Sequence, residues 1–146
     1  MKNIFGEIAV LFAYPQHLIL LFARVMIAYG FVQPTLLKLH DLPATANWFD
    51  TIHIPLPQLF SYLVVGIEAT GIVLLVLGLF TRTISVLLMI IMMGAIFFVH
   101  FTNGFLASNN GIEIPLYYML FLFIFSTFGA GKYALDSIIF KGSFHE

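Results

Sequence analysis

Residues 66–82 read GIEATGIVLLVLGLFTR, and this stretch decides the fold of the chain. It is the inner half of a strongly apolar segment that begins near Pro57 and whose single carboxylate is Glu68. The next charged residue is Arg82. A lone carboxylate at membrane depth costs roughly 2.5 kcal/mol or more on insertion scales, so it requires a partner or a proton. The position of that partner is the main structural question that the sequence raises.

The composition is typical of an integral membrane protein. Of 146 residues, 61% are hydrophobic and 9% are charged, whereas soluble domains contain roughly 45–50% apolar and about 25% charged residues. So few charges cannot coat a soluble globule, and we predict one compact transmembrane domain over residues 1–146. The net charge of −1 predicts no surface for nucleic acid.

The absence of cysteine restricts the chemistry. Disulfides, thiolate metal sites, iron–sulfur clusters and dithiol relays within the chain are excluded, so a redox function would use a bound cofactor, a diffusible quinone or another subunit. A bis-histidine haem is not expected, because His100 is the only histidine deep in a predicted span. His100 and Glu113 are also too few ligands for a closed metal site.

Four apolar segments approach or exceed the roughly 20 residues that a helix needs to cross a membrane. We predict an all-α, integral membrane four-helix bundle with spans at about 15–39, 56–80, 81–102 and 112–128. The second and third spans follow each other almost at once and should be antiparallel neighbours. The longer connections are loops at residues 40–55 and 103–111, and residues 3–13 form either a short interfacial helix or a frayed start.

The basic residues lie mostly on one side of the predicted spans. Lys2, Arg82, Lys132 and Lys141 flank that side, and Lys38 alone flanks the other. The positive-inside rule therefore predicts that both termini are cytoplasmic and that the loop at residues 40–55 faces outward.

Arg24 is the residue that we expect to meet Glu68. If the first two spans have their outer ends at about residues 36 and 57, a helical rise of about 1.5 Å per residue places Arg24 roughly 18 Å and Glu68 roughly 16 Å from the outer boundary. The expectation is a buried Arg24–Glu68 ion pair. Such a pair either specifies packing alone or forms the charged floor of a polar cavity.

A second polar group is predicted near the outer interface, where Lys38, His100 and Glu113 can form a cluster. Such a cluster could carry protons or hold an anion. The alternatives are a lysine that extends to the headgroups, an interfacial histidine and an acid that complements a helix dipole. Tyr117 lies one turn beyond Glu113 and can hydrogen-bond to it, and Gln33 marks a kink or a hydrogen-bonding site in the first span.

The order of these motifs resembles the DoxX family of small four-helix membrane proteins, from about residue 15 to residue 136. The resemblance rests on Arg24, Gly30, Lys38, Trp48, Pro57, Glu68, Gly71, the segment LVLGLFTR at 75–82, His100, Gly104, Glu113, Gly129, Gly131, Leu135 and Asp136. The family often ends in Gly-Pro-Gly, where this chain has Gly-Ala-Gly at 129–131. That difference should loosen the turn and change little else.

The resemblance implies a bundle in a bacterial or archaeal cytoplasmic membrane, linked to quinone-dependent sulfur or thiol redox systems and to oxidative-stress responses. The family is related to the DoxD subunit of thiosulfate:quinone oxidoreductase, so the chain is expected to be a subunit of a similar enzyme. The candidate catalytic residues are His100, Glu113 and Lys38, and the candidate ligand-binding residues are Arg24, Glu68, Gln33 and Tyr117. The ligand would be a quinone or a small sulfur anion.

Two other functions remain open at this point. The chain could be a non-catalytic membrane anchor for a soluble redox enzyme, which would bind at residues 40–55 or at the cytoplasmic faces. It could also be a small-molecule carrier, and because no inverted repeat is visible in four spans, transport would require a homodimer.

Overall fold

The computed structural model describes residues 15–139, and these residues form helices and turns without a strand. The all-α prediction is therefore confirmed for this part of the chain. The main helices are α1 (Gln16–His40), α2 (Leu42–Thr51), α3 (Pro57–Leu77), α4 (Thr81–Ala95), α5 (Glu113–Phe128) and α6 (Leu135–Ile139). The predictions for residues 3–13, Lys2 and Lys141 lie outside the described residues.

Three stretches are long and apolar enough to cross a membrane, namely Gln16–His40, Pro57–Leu77 and Thr81–Asn103. Helix α5 is a shorter apolar helix of 16 residues. Each of these four segments coincides closely with a predicted span. The largest difference lies at the end of α3, because Gly78 takes a φ of 68° and ends the helix there. Glycine enters this left-handed conformation without the penalty that a Cβ atom imposes.

Helix α2 replaces part of the loop predicted at residues 40–55. The carboxylate of Asp41 accepts a hydrogen bond from the Ala44 N–H at 2.9 Å, which satisfies one of the free donors at the start of the helix. The buried side chains of α2 are Thr45, Ala46 and Phe49. This face packs on α3, so the first turns of α3 are covered by α2 and extend beyond the end of α1.

The long helices pack in the order α1, α3, α4 and α5, and α1 also contacts α5. Their shared core consists of Ile27, Ala28, Phe31, Leu75, Ile84, Leu88, Met92, Leu122 and Phe125. Helix α3 approaches α4 closely at Gly71, where an added Cβ atom would lie 2.9 Å from a methyl group of Leu88. Small residues permit such close contact between helices in lipid. We call the end of the bundle at which α1 ends the Lys38 end, and the opposite end the Arg24 end.

Helix α4 changes form at the Lys38 end. It continues as a π-helical turn over Ile96–His100 and a 3-10 turn over Phe101–Asn103. π-Helical turns are rare and occur frequently at functional sites. This turn brings His100 against the loop that follows, within hydrogen-bonding distance of Asn110.

The loop at residues 104–112 is closed by its own backbone. The Ile112 N–H donates to the Gly104 carbonyl at 3.1 Å, and the Gly111 N–H donates to the Leu106 carbonyl at 3.0 Å. A Cβ atom on Gly111 would overlap both of these carbonyl oxygens. The loop therefore requires glycine at position 111 and presents a defined surface to the helices.

Candidate functional site

Lys38 is the partner of Glu68. Its Nζ atom lies 2.5 Å and 2.7 Å from the two carboxylate oxygens, and the Thr35 hydroxyl donates to Oε2 at 3.1 Å. Glu68 is 1% exposed, whereas the side chain of Lys38 remains 22% exposed. The carboxylate is therefore neutralised by a cation that reaches it from the Lys38 end of the bundle.

The predicted Arg24–Glu68 ion pair is wrong. The prediction placed the outer ends of α1 and α3 at one level, but the Lys38–Glu68 contact indicates that the first turns of α3 extend beyond the end of α1. Glu68 is consequently level with Lys38, near the end of α1. Arg24 is level with the last turn of α3, where its guanidinium contacts the carbonyl of Leu75.

Arg24 joins three parts of the chain at its own end of the bundle, where it is fully buried. Nη1 donates to the Leu75 carbonyl at 3.3 Å, and Nη2 donates to the Tyr133 carbonyl at 2.6 Å. The first of these carbonyls belongs to the end of α3, where the helix dipole is negative and a cation is stabilising. These contacts connect α1 to α3 and to the segment after α5, which is a structural role.

Asp136 completes this arrangement as a helix cap. Its carboxylate accepts hydrogen bonds from the N–H groups of Phe80 and Thr81 at 2.8 Å and 3.1 Å, at the start of α4. Its own N–H donates to the Gly78 carbonyl at 3.0 Å. Asp136 therefore caps α4 from the segment that follows α5. A Cβ atom on Gly78 would overlap the guanidinium of Arg24, so this turn also requires glycine.

A cavity of about 640 Å³ lies among the helices at the Lys38 end. Its lining is mainly apolar, and the larger polar side chains in it are Lys38, Trp48, His100, Asn110 and Tyr118. Pockets for small organic molecules have this size and this mixture of apolar walls with a few polar groups. We call it the Lys38 cavity.

His100 has a defined tautomer in this cavity. Its Nδ1 atom lies 2.7 Å from the carbonyl oxygen of Asn110, and a carbonyl only accepts, so Nδ1 carries the proton and donates. In the neutral ring Nε2 is then an acceptor. Asn110 presents its carbonyl from a left-handed conformation with a φ of 58°. His100 can thus take a proton from a bound molecule.

Glu113 holds the loop and does not contact Lys38 or His100. Its carboxylate accepts from the Ala107 N–H at 2.8 Å and from the Tyr117 hydroxyl at 3.2 Å. The Tyr117–Glu113 bond was expected from their spacing and is confirmed. The predicted contact cluster of Lys38, His100 and Glu113 is not formed, because Lys38 turns to Glu68 and Glu113 turns to the loop. Lys38 and His100 nevertheless line one cavity.

The two remaining candidates lie away from this cavity. Gln33 is exposed on α1, and Tyr117 is exposed on α5; neither is among the lining residues. The sequence analysis missed Tyr118, whose ring packs on Phe31 with centroids 5.3 Å apart. Tyr118 follows Pro115 by three residues and precedes Leu122 by four, so its place on the buried face of α5 could have been found from spacing. The contact between His100 and the Asn110 carbonyl could not have been found from the sequence.

Comparison with known proteins gives three similar sequences and one family. A family model described as DoxX matches residues 19–101. Two Haemophilus influenzae proteins, both named only "Uncharacterized protein", are 37% identical over 126 residues (84% of this chain, 91% of the relative) and 32% identical over 130 residues (84% and 83%). A Bacillus subtilis protein named "Putative oxidoreductase CatD" is 30% identical over 122 residues (84% and 87%). No solved structure matches.

Proposed function

The chain belongs to the DoxX family of membrane proteins, and on that premise we propose that it is a component of a quinone-linked sulfur or thiol redox system. It acts as one transmembrane domain in the cytoplasmic membrane of a bacterium or an archaeon. Helices α1, α3, α4 and α5 cross the bilayer as a four-helix bundle, with both termini in the cytoplasm and the Lys38 end outward. Arg82 and Lys132 at the opposite end support this orientation, since basic residues accumulate on the cytoplasmic side.

The Lys38 cavity carries the proposal. A quinone is a largely apolar ring with two carbonyl oxygens, and the cavity offers apolar walls with two polar groups of complementary type. Lys38 has three N–H donors, of which the two short contacts to Glu68 occupy two. The third can donate to a quinone carbonyl. His100 Nε2 can accept a hydrogen bond from the hydroxyl of the reduced form.

The redox step requires a partner subunit that oxidises the sulfur compound. Two sulfur anions or two thiols couple through a new S–S bond and release two electrons, and the quinone takes up those electrons with two protons to become a quinol. Because this chain has no cysteine, no dithiol relay within it carries the electrons. The sulfur oxidation is therefore assigned to a soluble or membrane-bound partner. The name of the Bacillus subtilis relative, an oxidoreductase, agrees with this class.

Trp48 provides the test, because it is the only tryptophan of the chain and lines the cavity. A decyl-tailed benzoquinone is titrated into the purified protein in detergent, and Trp48 fluorescence is recorded. We expect saturable quenching. The reduced quinol is then measured by its displacement of the quinone. His100→Ala should weaken quinol binding about tenfold, which corresponds to the loss of one hydrogen bond of about 1.4 kcal/mol from the quinol hydroxyl to Nε2.

His40→Ala is the matched control, since His40 is exposed at the end of α1 and does not line the cavity. Its affinity should equal that of the wild type. Quenching that rises without saturation, or quinol displacement that is identical in the His100 and His40 variants, refutes the quinone site. In membranes, thiosulfate- or thiol-dependent quinone reduction should fall with His100→Ala and not with His40→Ala.

A further inference from the structure

An apolar layer separates the two polar regions of the bundle. Its fully buried members are Phe31, Leu75, Leu88, Leu122 and Phe125. Among residues 15–139, the fully buried hydroxyls of Thr81 and Ser85 precede Leu88 on α4 and therefore lie toward the Arg24 end of this layer. Glu68 contacts Thr35 and Lys38, and Lys38 lines the cavity. Arg24 contacts the Leu75 carbonyl at the other end of α3.

The layer is thick enough to stop proton transfer. Leu75 follows Glu68 by seven positions on α3, and the carbonyl of Leu75 is the one that Arg24 contacts. At a rise of about 1.5 Å per residue, this is about 10 Å. Protons move along hydrogen-bonded side chains or waters, and a buried water needs polar partners to stay. Leu88 packs closely against Gly71 on this path, and the buried hydroxyls of Thr81 and Ser85 lie on the Arg24 side of that contact.

Access to the cavity is available at its other end. The lining includes Ile54 and Pro55 from the connection before α3, and Asn110 and Gly111 from the loop after α4. Asn110 is exposed, and Lys38 retains part of its exposure. Water therefore reaches the cavity from the Lys38 end.

We infer that the Lys38 cavity exchanges protons and polar ligands with one side of the membrane only, the side at which α1 ends. What those protons do rests on the proposed function. Quinol oxidation at this site would release its protons to that side, and quinone reduction would take them from it. In the proposed orientation the exchange is with the outer compartment, so turnover changes the proton gradient across the membrane.

Cysteine labelling tests this inference directly, because the chain contains no cysteine of its own. Single cysteines are introduced as Gly94→Cys and Ala95→Cys, two positions that line the cavity. An added Cβ atom on Gly94 meets nothing within 4 Å, so this variant has room for its side chain. Exposed positions Asn109→Cys and Lys132→Cys mark the Lys38 end and the Arg24 end. A charged, membrane-impermeant thiol reagent is applied to one side of oriented vesicles at a time.

Both cavity cysteines should react from the side that labels Asn109→Cys. From the side that labels Lys132→Cys they should react about 100-fold more slowly, the factor that corresponds to placing a charge at the centre of a membrane. Equal rates from both sides, or faster reaction from the Lys132→Cys side, overturn the inference. No reaction from either side also overturns it, because the cavity would then be closed to water.

A quinone added during labelling separates this inference from the proposed function. The probe is a short-tailed benzoquinone with all ring carbons substituted, so that it does not add thiols. Protection of Ala95→Cys but not of Asn109→Cys supports the quinone site. One-sided labelling without protection upholds one-sided access and refutes the quinone site. Protection combined with labelling from both sides supports the quinone site and overturns one-sided access.

Discussion

The pairing of Glu68 can be measured by removing its partners one at a time. Lys38→Met removes the cation that contacts both carboxylate oxygens and leaves only the Thr35 hydroxyl. Glu68→Gln removes the negative charge and keeps the shape. Arg24→Met removes the cation that the sequence alone suggested as the partner. Each single variant is then combined with Glu68→Gln.

The structure sets the order of the effects. Glu68 is 1% exposed, and a buried ion that loses its partner typically destabilises by about 3–5 kcal/mol. Glu68→Gln should cost less, about 1–3 kcal/mol, because the side chain of Lys38 is 22% exposed and can turn into the cavity. The Lys38→Met and Glu68→Gln effects should fall short of additivity by about 1–3 kcal/mol, since the two side chains are in contact.

Arg24 should show no such coupling to Glu68. Its contacts are the carbonyls of Leu75 and Tyr133, about two helical turns from the carboxylate. Changes at separate sites without shared partners add within about 0.5 kcal/mol. Arg24→Met is therefore severe by itself and additive with Glu68→Gln.

The assay is reversible unfolding in mixed micelles at increasing fractions of dodecyl sulfate, followed by far-ultraviolet circular dichroism. All variants are compared at one lipid-to-detergent ratio, so that differences in unfolding free energy are comparable. Strong coupling between Arg24→Met and Glu68→Gln, together with additivity between Lys38→Met and Glu68→Gln, would refute the pairing described here.

Three further changes have defined outcomes. Gly78→Ala should destabilise by more than about 1 kcal/mol, because a Cβ atom is strained at this positive φ and overlaps a guanidinium; Gly66→Ala, where nothing lies within 4 Å, should be neutral in the same unfolding assay. Asp136→Ala should cost about 0.5–2 kcal/mol through loss of the cap on α4 and should expose the segment after α5 to protease, whereas unchanged digestion would argue against the capping role. Glu113→Ala should weaken quinone binding, because it releases the loop N–H of Ala107. Glu113→Gln should restore binding, because its amide oxygen still accepts a hydrogen bond. Equally weak binding by Glu113→Gln would point to proton transfer by the carboxylate itself.

The helices themselves could be read from the sequence because they depend on local properties. Length and apolarity are sufficient to predict a membrane-crossing helix, since every backbone group must be satisfied within the segment. The predicted spans therefore agree closely with α1, α3, α5 and the stretch Thr81–Asn103 that begins with α4. Spacing along one helix was equally informative, and it predicted the Tyr117–Glu113 bond. The need for a partner or a proton at Glu68 also followed from its depth alone.

Which cation meets Glu68 was decided only by the tertiary structure. Relative helix depth depends on where the chain turns, and Glu68 lies beside Lys38 near the end of α1, a displacement along the bundle from the level of Arg24 that the sequence suggested. A side-chain period carries no information about such a displacement, so Arg24 was assigned to Glu68 in place of Lys38. The tautomer of His100 likewise depends on a backbone carbonyl, which belongs to every residue type and leaves no mark on the sequence. Local pattern thus determines the helices, and the contacts between them determine the site.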